Sequence, residues 1–422
     1  MPTGIKGTVD RRDLLKGSAG LSLVAATRGY ARAQPPSRLS SVQKLINDVI
    51  AEPAAPGAIA AVGRAGTPTI FVSAGTLAVD NPRRVDQHTL FRVYSMTKPV
   101  VGMAVMLLIA EGRMKLDQPV ADFIPAFAKM RVLTDPSGGT DSRPATTVMT
   151  IRHLLTHTAG LGSSPGAPAL ETEYKRLGLN QNLRNRSQPS ERASTVASLA
   201  EFSERLATAP LLAEPGQVWS YSVSFDLLGR MIELAGGVPL EQFLARRFFD
   251  PLRMTSTGFT VPAANKARLV TSYTGRGLQL APIDPGPSSR FLDQPAFPSG
   301  GGGLVSSAHD YDRFLAMLAN HGRLYGATIL PPSAVATGTG NLLPPGVNMR
   351  RYAGIPGVVG FGAGGCIADY GGYKGMFGWL GAAGTIGVIV PERQLRLTGL
   401  LNNFTVFNFA LALPKAVHLD LT

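Results

Sequence analysis

The sequence predicts a mixed α/β (α+β) fold: an antiparallel sheet built from both chain ends, with flanking helices and an inserted, mostly helical lobe. Three observations predict it. Strand-like apolar runs gather near both ends of the chain. Helical spacing and long Pro/Gly/Ser-rich loops fill the middle. The 422 residues are 44% hydrophobic and only 16% charged, which is enough to bury a sizeable core and unlike a disordered chain. That length suits one large two-lobed domain or two domains.

The elements follow in order. From Ser40 to Ala51, apolar residues fall at Val42, Leu45, Ile46, Val49 and Ile50, which is helical spacing. Ala58–Val62 and Thr69–Val72 read as short strands joined by a Gly/Pro turn, and Leu90–Val93 as a third apolar run. A helix follows from about Ser95 to Glu111, ended by Gly112. Ile151–Thr156 and Phe225–Ala235 are the clearest helices of the middle. After the Gly300–Gly303 run, Ser306 to Asn320 forms a helix with Asp310 and Asp312 in its first turn. Gly378–Gly384, Ile386–Val390 and Leu395–Leu401 read as strands, and Val406–Leu413 as a closing helix. The lobes are then a sheet lobe of about 40–95 and 300–422 and a helical lobe of about 96–299, within one domain of residues 34–422.

Residues 1–33 stand apart. Arg11-Arg12 precedes a small, weakly apolar stretch, Gly17 to Ala26, and Ala31-Arg32-Ala33 supplies a small-x-small cleavage pattern. This predicts a twin-arginine export signal and a periplasmic or secreted protein. No run is long enough for an integral membrane segment. Without residues 1–33 the chain keeps 35 basic and 26 acidic residues, a formal +9, scattered except for a modest concentration between Lys175 and Arg192. No block is dense enough to suggest nucleic acid as a partner. The one cysteine, Cys366, excludes an internal disulfide and lies among glycines with no nearby His.

Three serine motifs compete for a nucleophile. Ser41-Val42-Gln43-Lys44 lies on an amphipathic helix with no turn to expose it. Gly162-Ser163-Ser164-Pro165-Gly166 matches a nucleophile elbow, but Pro165-Gly166-Ala167-Pro168 cannot start the helix such an elbow needs. Ser95-Met96-Thr97-Lys98 has the right context. An apolar run leads into it, and Pro99 confines the helix start to about Ser95, because Pro is tolerated only in a first turn. Ser95 then sits at the positive end of the helix dipole, where developing negative charge is favoured. Lys98 shares its face one turn on. An ammonium there favours the ionised serine, and a neutral amine accepts its proton.

Phe91-Arg92-Val93-Tyr94-Ser95-Met96-Thr97-Lys98-Pro99 resembles the nucleophile segment of the serine beta-lactamase-like hydrolases, and more narrowly of the esterases related to class C beta-lactamases (the family VIII carboxylesterase type). The likeness continues through Leu116–Val120, Ile151–Leu161, Pro215–Ser222, Pro251–Phe259, Gly300–Ser307 and Gly378–Thr385 in consistent order. It implies Ser95 as nucleophile, Lys98 as its partner and Tyr221 as a proton shuttle, since a phenol beside an ammonium ionises more easily. It also implies an oxyanion hole from the backbone N–H groups of Ser95 and Ala382.

Two departures from the lactamase pattern shape the expected substrate. Tyr-x-Asn becomes Tyr221-Ser222-Val223, and Lys-Thr-Gly becomes Trp379-Leu380-Gly381. The amide and the cation that would hold an acylamino group and a carboxylate are absent. Unpaired polar substrate groups would be costly there. Val223, Trp379 and Gly381 are therefore expected to border a neutral, partly apolar acyl group, as in a carboxylesterase for short or medium acids. A beta-lactamase, a D-amino-acid peptidase or amidase, an acyltransferase and an inert envelope-binding module are the alternatives. No cofactor and no metal is expected. His153 and His157 are spaced like a zinc pair, but Leu154 stands where a metalloprotease needs Glu, so packing or capping is their expected role. The Gly300–Gly303 run reads as backbone passing close to the site. Residues 162–210 are expected to help shape the pocket.

Overall fold

The computed structural model describes residues 39–162, 167–179, 196–349 and 354–422. The expected export signal and Ser163 lie outside the described residues. The core element is an eight-stranded sheet, antiparallel throughout. We number its strands β1 (Gly57–Arg64), β2 (Ile70–Ala78), β3 (Asn81–Arg84), β4 (Val358–Phe361), β5 (Cys366–Tyr370), β6 (Tyr373–Gly381), β7 (Thr385–Val390) and β8 (Leu395–Leu400). Their spatial order is β4-β5-β6-β7-β8-β1-β2-β3. The N-terminal strand therefore pairs with the C-terminal one, Ile59 opposite Leu400 and Val62 opposite Leu397.

Both faces of this sheet are covered, which is why β1, β7 and β8 read as nearly continuous apolar runs. Successive residues of β1 enter different cores: Ala58, Ala60 and Val62 one, Ile59 and Ala61 the other. The first core is closed by helices α1 (Ser40–Ala51) and α5 (Asn408–Leu421). Asp420 of α5 caps α1, accepting from the Ser41 and Val42 N–H groups at 2.8 and 3.0 Å. The second core holds α2 (Thr97–Ala110), α3 (Ser224–Gly236) and α4 (Ala308–Ala319), with α4 lying on β7 and β8. Further short helices lie between α2 and α3, including Ile151–Leu155, Pro168–Arg176 and Leu199–Leu206. Among the described residues no helix is long and apolar enough to cross a membrane.

Several boundaries differ from expectation. Leu90–Arg92 joins Val305–Ser307 in a separate two-stranded ladder, outside the main sheet. Because Ser307 is still extended and caps the helix by accepting from Asp310 N–H, α4 starts at Ala308. β6 begins at Tyr373, earlier than Gly378. The closing helix runs on to Leu421 through Pro414.

Candidate active site

Ser95 lies in one 3-10 turn, Tyr94–Met96, and α2 begins just after it at Thr97. Pro99 then falls within the first turn of α2, where its missing N–H removes no bond. The turn is held from several sides. Met96 N–H donates to the Val93 carbonyl at 3.1 Å, and the Tyr311 hydroxyl donates to the Met96 carbonyl at 2.9 Å. Leu304 N–H donates to the Thr97 hydroxyl at 3.1 Å. Below it, the buried Arg92 guanidinium pairs with Asp284 at 2.5 Å. Tyr94 takes φ +44°, a left-handed conformation that costs a non-glycine residue energy and persists only where the surroundings fix it.

Two side chains converge on the Ser95 hydroxyl. Lys98 Nζ donates to Oγ at 3.1 Å, and the Tyr221 hydroxyl donates to it at 2.8 Å. Lys98 is 3% exposed and Tyr221 37%, so the ammonium end is buried and the phenol side opens to solvent. Nζ also lies 4.5 Å from the centroid of the Tyr221 ring. Trp379 stacks on Tyr221 at 5.8 Å and donates its indole N–H to the phenol oxygen at 3.2 Å.

The remaining expected residues are placed as follows. Gly381 ends β6 against the nucleophile turn: a Cβ there would lie 2.4 Å from the Val93 carbonyl oxygen. Ala382 follows at once, exposed, in the turn to β7. Val223 is half-buried immediately before α3 and packs against the second core. The Gly300–Gly303 run does pass beside the site, for the Gly301 carbonyl accepts from Lys98 Nζ at 2.6 Å.

The other candidates fall away on geometry. Lys44 is exposed and paired with Asp48 at 2.6 Å, leaving Ser41 without its lysine. His153 and His157 do not share a helix face, because the helix ends at Leu155. His153 caps that helix, its Nδ1 accepting from Thr150 N–H at 3.2 Å. His157, at φ +55°, turns the chain. Cys366 is buried in β5, and burial pushes its thiol up to about 12.

One residue of the site escaped sequence reasoning, and a second was read only as packing or capping. Asp226 of α3 is buried and accepts from the Ser299 hydroxyl at 2.6 Å and Gly301 N–H at 3.2 Å. Burial raises its carboxyl, opposed by those bonds and by the Lys98 charge. Thus Asp226 holds, by its N–H, the same residue whose carbonyl receives Lys98. A carboxylate in the first turn of α3, shortly after Tyr221, was the available signal. The second is His157, which lies fully buried with its ring centroid 4.7 Å from that of Tyr221. Its Nδ1 lies 3.0 Å from the Ser222 hydroxyl. Burial, then the Lys98 charge, hold its imidazole well below the ordinary value.

A serine bridged to a buried lysine and a tyrosine, on an antiparallel sheet with a helical insertion, defines the serine hydrolases that work through an acyl-enzyme. The model of the Beta-lactamase family matches residues 42–419, and the chain belongs to that family. It is 34% identical to Protein Rv1367c of Mycobacterium tuberculosis over 334 residues, 76% of this chain and 79% of that one. It is also 34% identical to Esterase EstB of Burkholderia gladioli over 292 residues, 64% of this chain and 67% of that one. Among solved structures, "EstCE1, a hydrolase with promiscuous acyltransferase activity" superposes with a TM-score of 0.74 at 28% identity, covering 90% of this chain and 98% of that one.

Proposed function

We propose that this protein is a carboxylesterase for neutral esters of short or medium acids, working through an acyl-enzyme on Ser95. The observation that carries the reading is the meeting of Lys98 Nζ and the Tyr221 hydroxyl on one serine oxygen, at 3.1 and 2.8 Å. In the reactive state Lys98 is an ammonium and Tyr221 a phenolate, the phenol proton having passed to Ser95 Oγ as the Ser95 proton passed to Lys98; Tyr221 is then the base. Ser95 Oγ adds to the ester carbonyl carbon while its proton passes to Tyr221 Oη. The carbonyl oxygen becomes an oxyanion, received by the N–H groups of Ser95 and Ala382. Collapse of the adduct breaks the bond to the alkoxide, which leaves with the proton from Tyr221. Water then repeats the sequence on the acyl-serine: its proton goes to Tyr221, its oxygen bonds to the acyl carbon, and Ser95 Oγ departs and regains a proton.

The test is hydrolysis of p-nitrophenyl acetate and butyrate by residues 34–422. Ser95→Ala should lower the rate by at least about 10³-fold and abolish labelling by a fluorophosphonate. Undiminished turnover in that variant rejects the nucleophile. Efficient nitrocefin turnover would favour a lactamase instead. The solvent-open phenol side of the site also admits an alcohol in place of water, and EstCE1 is described as a hydrolase with promiscuous acyltransferase activity. Product partition in added butanol measures that share. Export by the twin-arginine route, to the periplasm or beyond, completes the proposal. Replacing Arg11 and Arg12 by Lys should retain the protein in the cytoplasm of a bacterial host, and unchanged export in that variant rejects the route.

A further inference from the structure

We infer that Trp379 is a positioning residue for proton transfer at Tyr221, acting through its indole N–H, and not a wall of the acyl pocket. The inference rests on the reading of Ser95 as nucleophile and Tyr221 as its proton acceptor.

Trp379 occupies the position where the resembling lactamases carry a lysine, so the first expectation is a simple exchange of cation for apolar surface. The geometry is more particular. The indole is 3% exposed, stacked at 23° to the Tyr221 ring on one side and met edge-on by Phe361 at 5.3 Å. So packed, its N–H has a fixed direction, and that direction is Tyr221 Oη, at 3.2 Å. Lys98 does not take this place. Its Nζ donates to Ser95 Oγ and to the Gly301 carbonyl, and faces the Tyr221 ring at 4.5 Å from the centroid.

An indole is a donor only. It cannot take the proton that Tyr221 carries, so that proton has one destination, Ser95 Oγ or whatever leaves from it. Each time the Ser95 proton is to be accepted, Oη must carry negative charge, and the N–H bond to it becomes charge-assisted. A neutral donor does this without placing a second cation beside Lys98. The substrate side is left without a cation to attract a carboxylate.

The test compares three proteins under single turnover with p-nitrophenyl butyrate, reading the acylation rate constant and the substrate dissociation constant separately. Trp379→Phe keeps a stacked ring and loses the N–H. Replacement of Trp379 by 3-benzothienylalanine keeps the whole bicyclic outline, with sulfur in place of N–H, and guards against a packing defect in the Phe variant. Both should lower the acylation constant about 10- to 100-fold, the range for a hydrogen bond to a charged acceptor. Substrate dissociation and preference for acyl chain length should not change. A benzothienylalanine protein acylating at the wild-type rate overturns the inference. So does a loss that appears as weaker substrate binding or altered chain-length preference. Ser95→Ala and Tyr221→Phe run alongside. Activity surviving in either overturns the reading of the site, and the inference with it. Loss in those two with none in the benzothienylalanine protein overturns the inference alone.

Discussion

Replacing His157 by Asn should flatten the loss of stability in acid. The imidazole is fully buried, and burial with the Lys98 charge holds it well below its ordinary 6.5. As pH falls through 6.5 the unfolded chain binds a proton here that the native protein refuses. The unfolded state then gains about 1.4 kcal/mol for each further pH unit, so stability present above that pH is lost below it. Integrated from pH 7.5 to 5.0, the single group removes about 2 kcal/mol. Asn does not titrate, and it is among the residues that tolerate the φ of +55° found here. The variant starts lower, by about 1–3 kcal/mol of lost packing. The quantity to compare is therefore the slope. Urea unfolding at pH 7.5, 6.5, 5.75 and 5.0 gives it for both proteins. His153 and His309, which burial also depresses, remain in both and cancel. The gap between the two proteins should close by about 2 kcal/mol toward pH 5.0. Parallel curves would refute the argument.

Asp226→Asn separates stability from catalysis. Its raised carboxyl means that the unfolded chain ionises first as pH rises above the ordinary 3.8, so native stability falls there. The amide removes that fall, and its urea midpoint should rise relative to wild type from pH 4 to 7. Activity should drop about 10- to 100-fold, as the bonds from Ser299 and Gly301 weaken from charged to neutral. Gly381→Ala must push β6 off the nucleophile turn, because its Cβ would meet Thr385 Oγ1 at 2.1 Å and the Val93 oxygen at 2.4 Å. Steady-state assays should show a fall in kcat of at least about tenfold. Cys366 should ignore a thiol reagent such as dithionitrobenzoate in native protein and react in 6 M guanidinium, since burial pushes its thiol up to about 12.

What was legible in the sequence was largely what is local. Ser95, Lys98 and Pro99 sit within one turn, so the dipeptide rules for proline and the helix spacing locate them directly. The central strands were legible because β7 and β8 are buried along their length and mostly apolar, Thr385, Arg396 and Thr398 apart. β4 and β5 were not: their segment is rich in glycine, and Val359 is 60% exposed. Tyr221 was reached only through family resemblance, as nothing nearby in sequence marks it. Asp226 meets Gly301 across 75 positions, and the Gly301 carbonyl meets Lys98 across 203. Trp379 was read as apolar surface because the sequence states a residue type, and the aim of its N–H depends on the packing of Tyr221 and Phe361 around it.

The pairing of the first strand with the last sets a timetable for the enzyme. The Thr385 hydroxyl donates to the carbonyl of Val93, which lies 292 positions earlier and just before the nucleophile. At synthesis rates of about 5–20 residues per second, Ser95 leaves the ribosome roughly 15–60 s before the turn that carries Ala382. During that interval β1 lacks its neighbour β8, and the half of the oxyanion hole proposed for Ala382 does not exist. A chain truncated before β6 should therefore show no hydrolysis of p-nitrophenyl butyrate. The sheet can close only when its C-terminal strands have arrived.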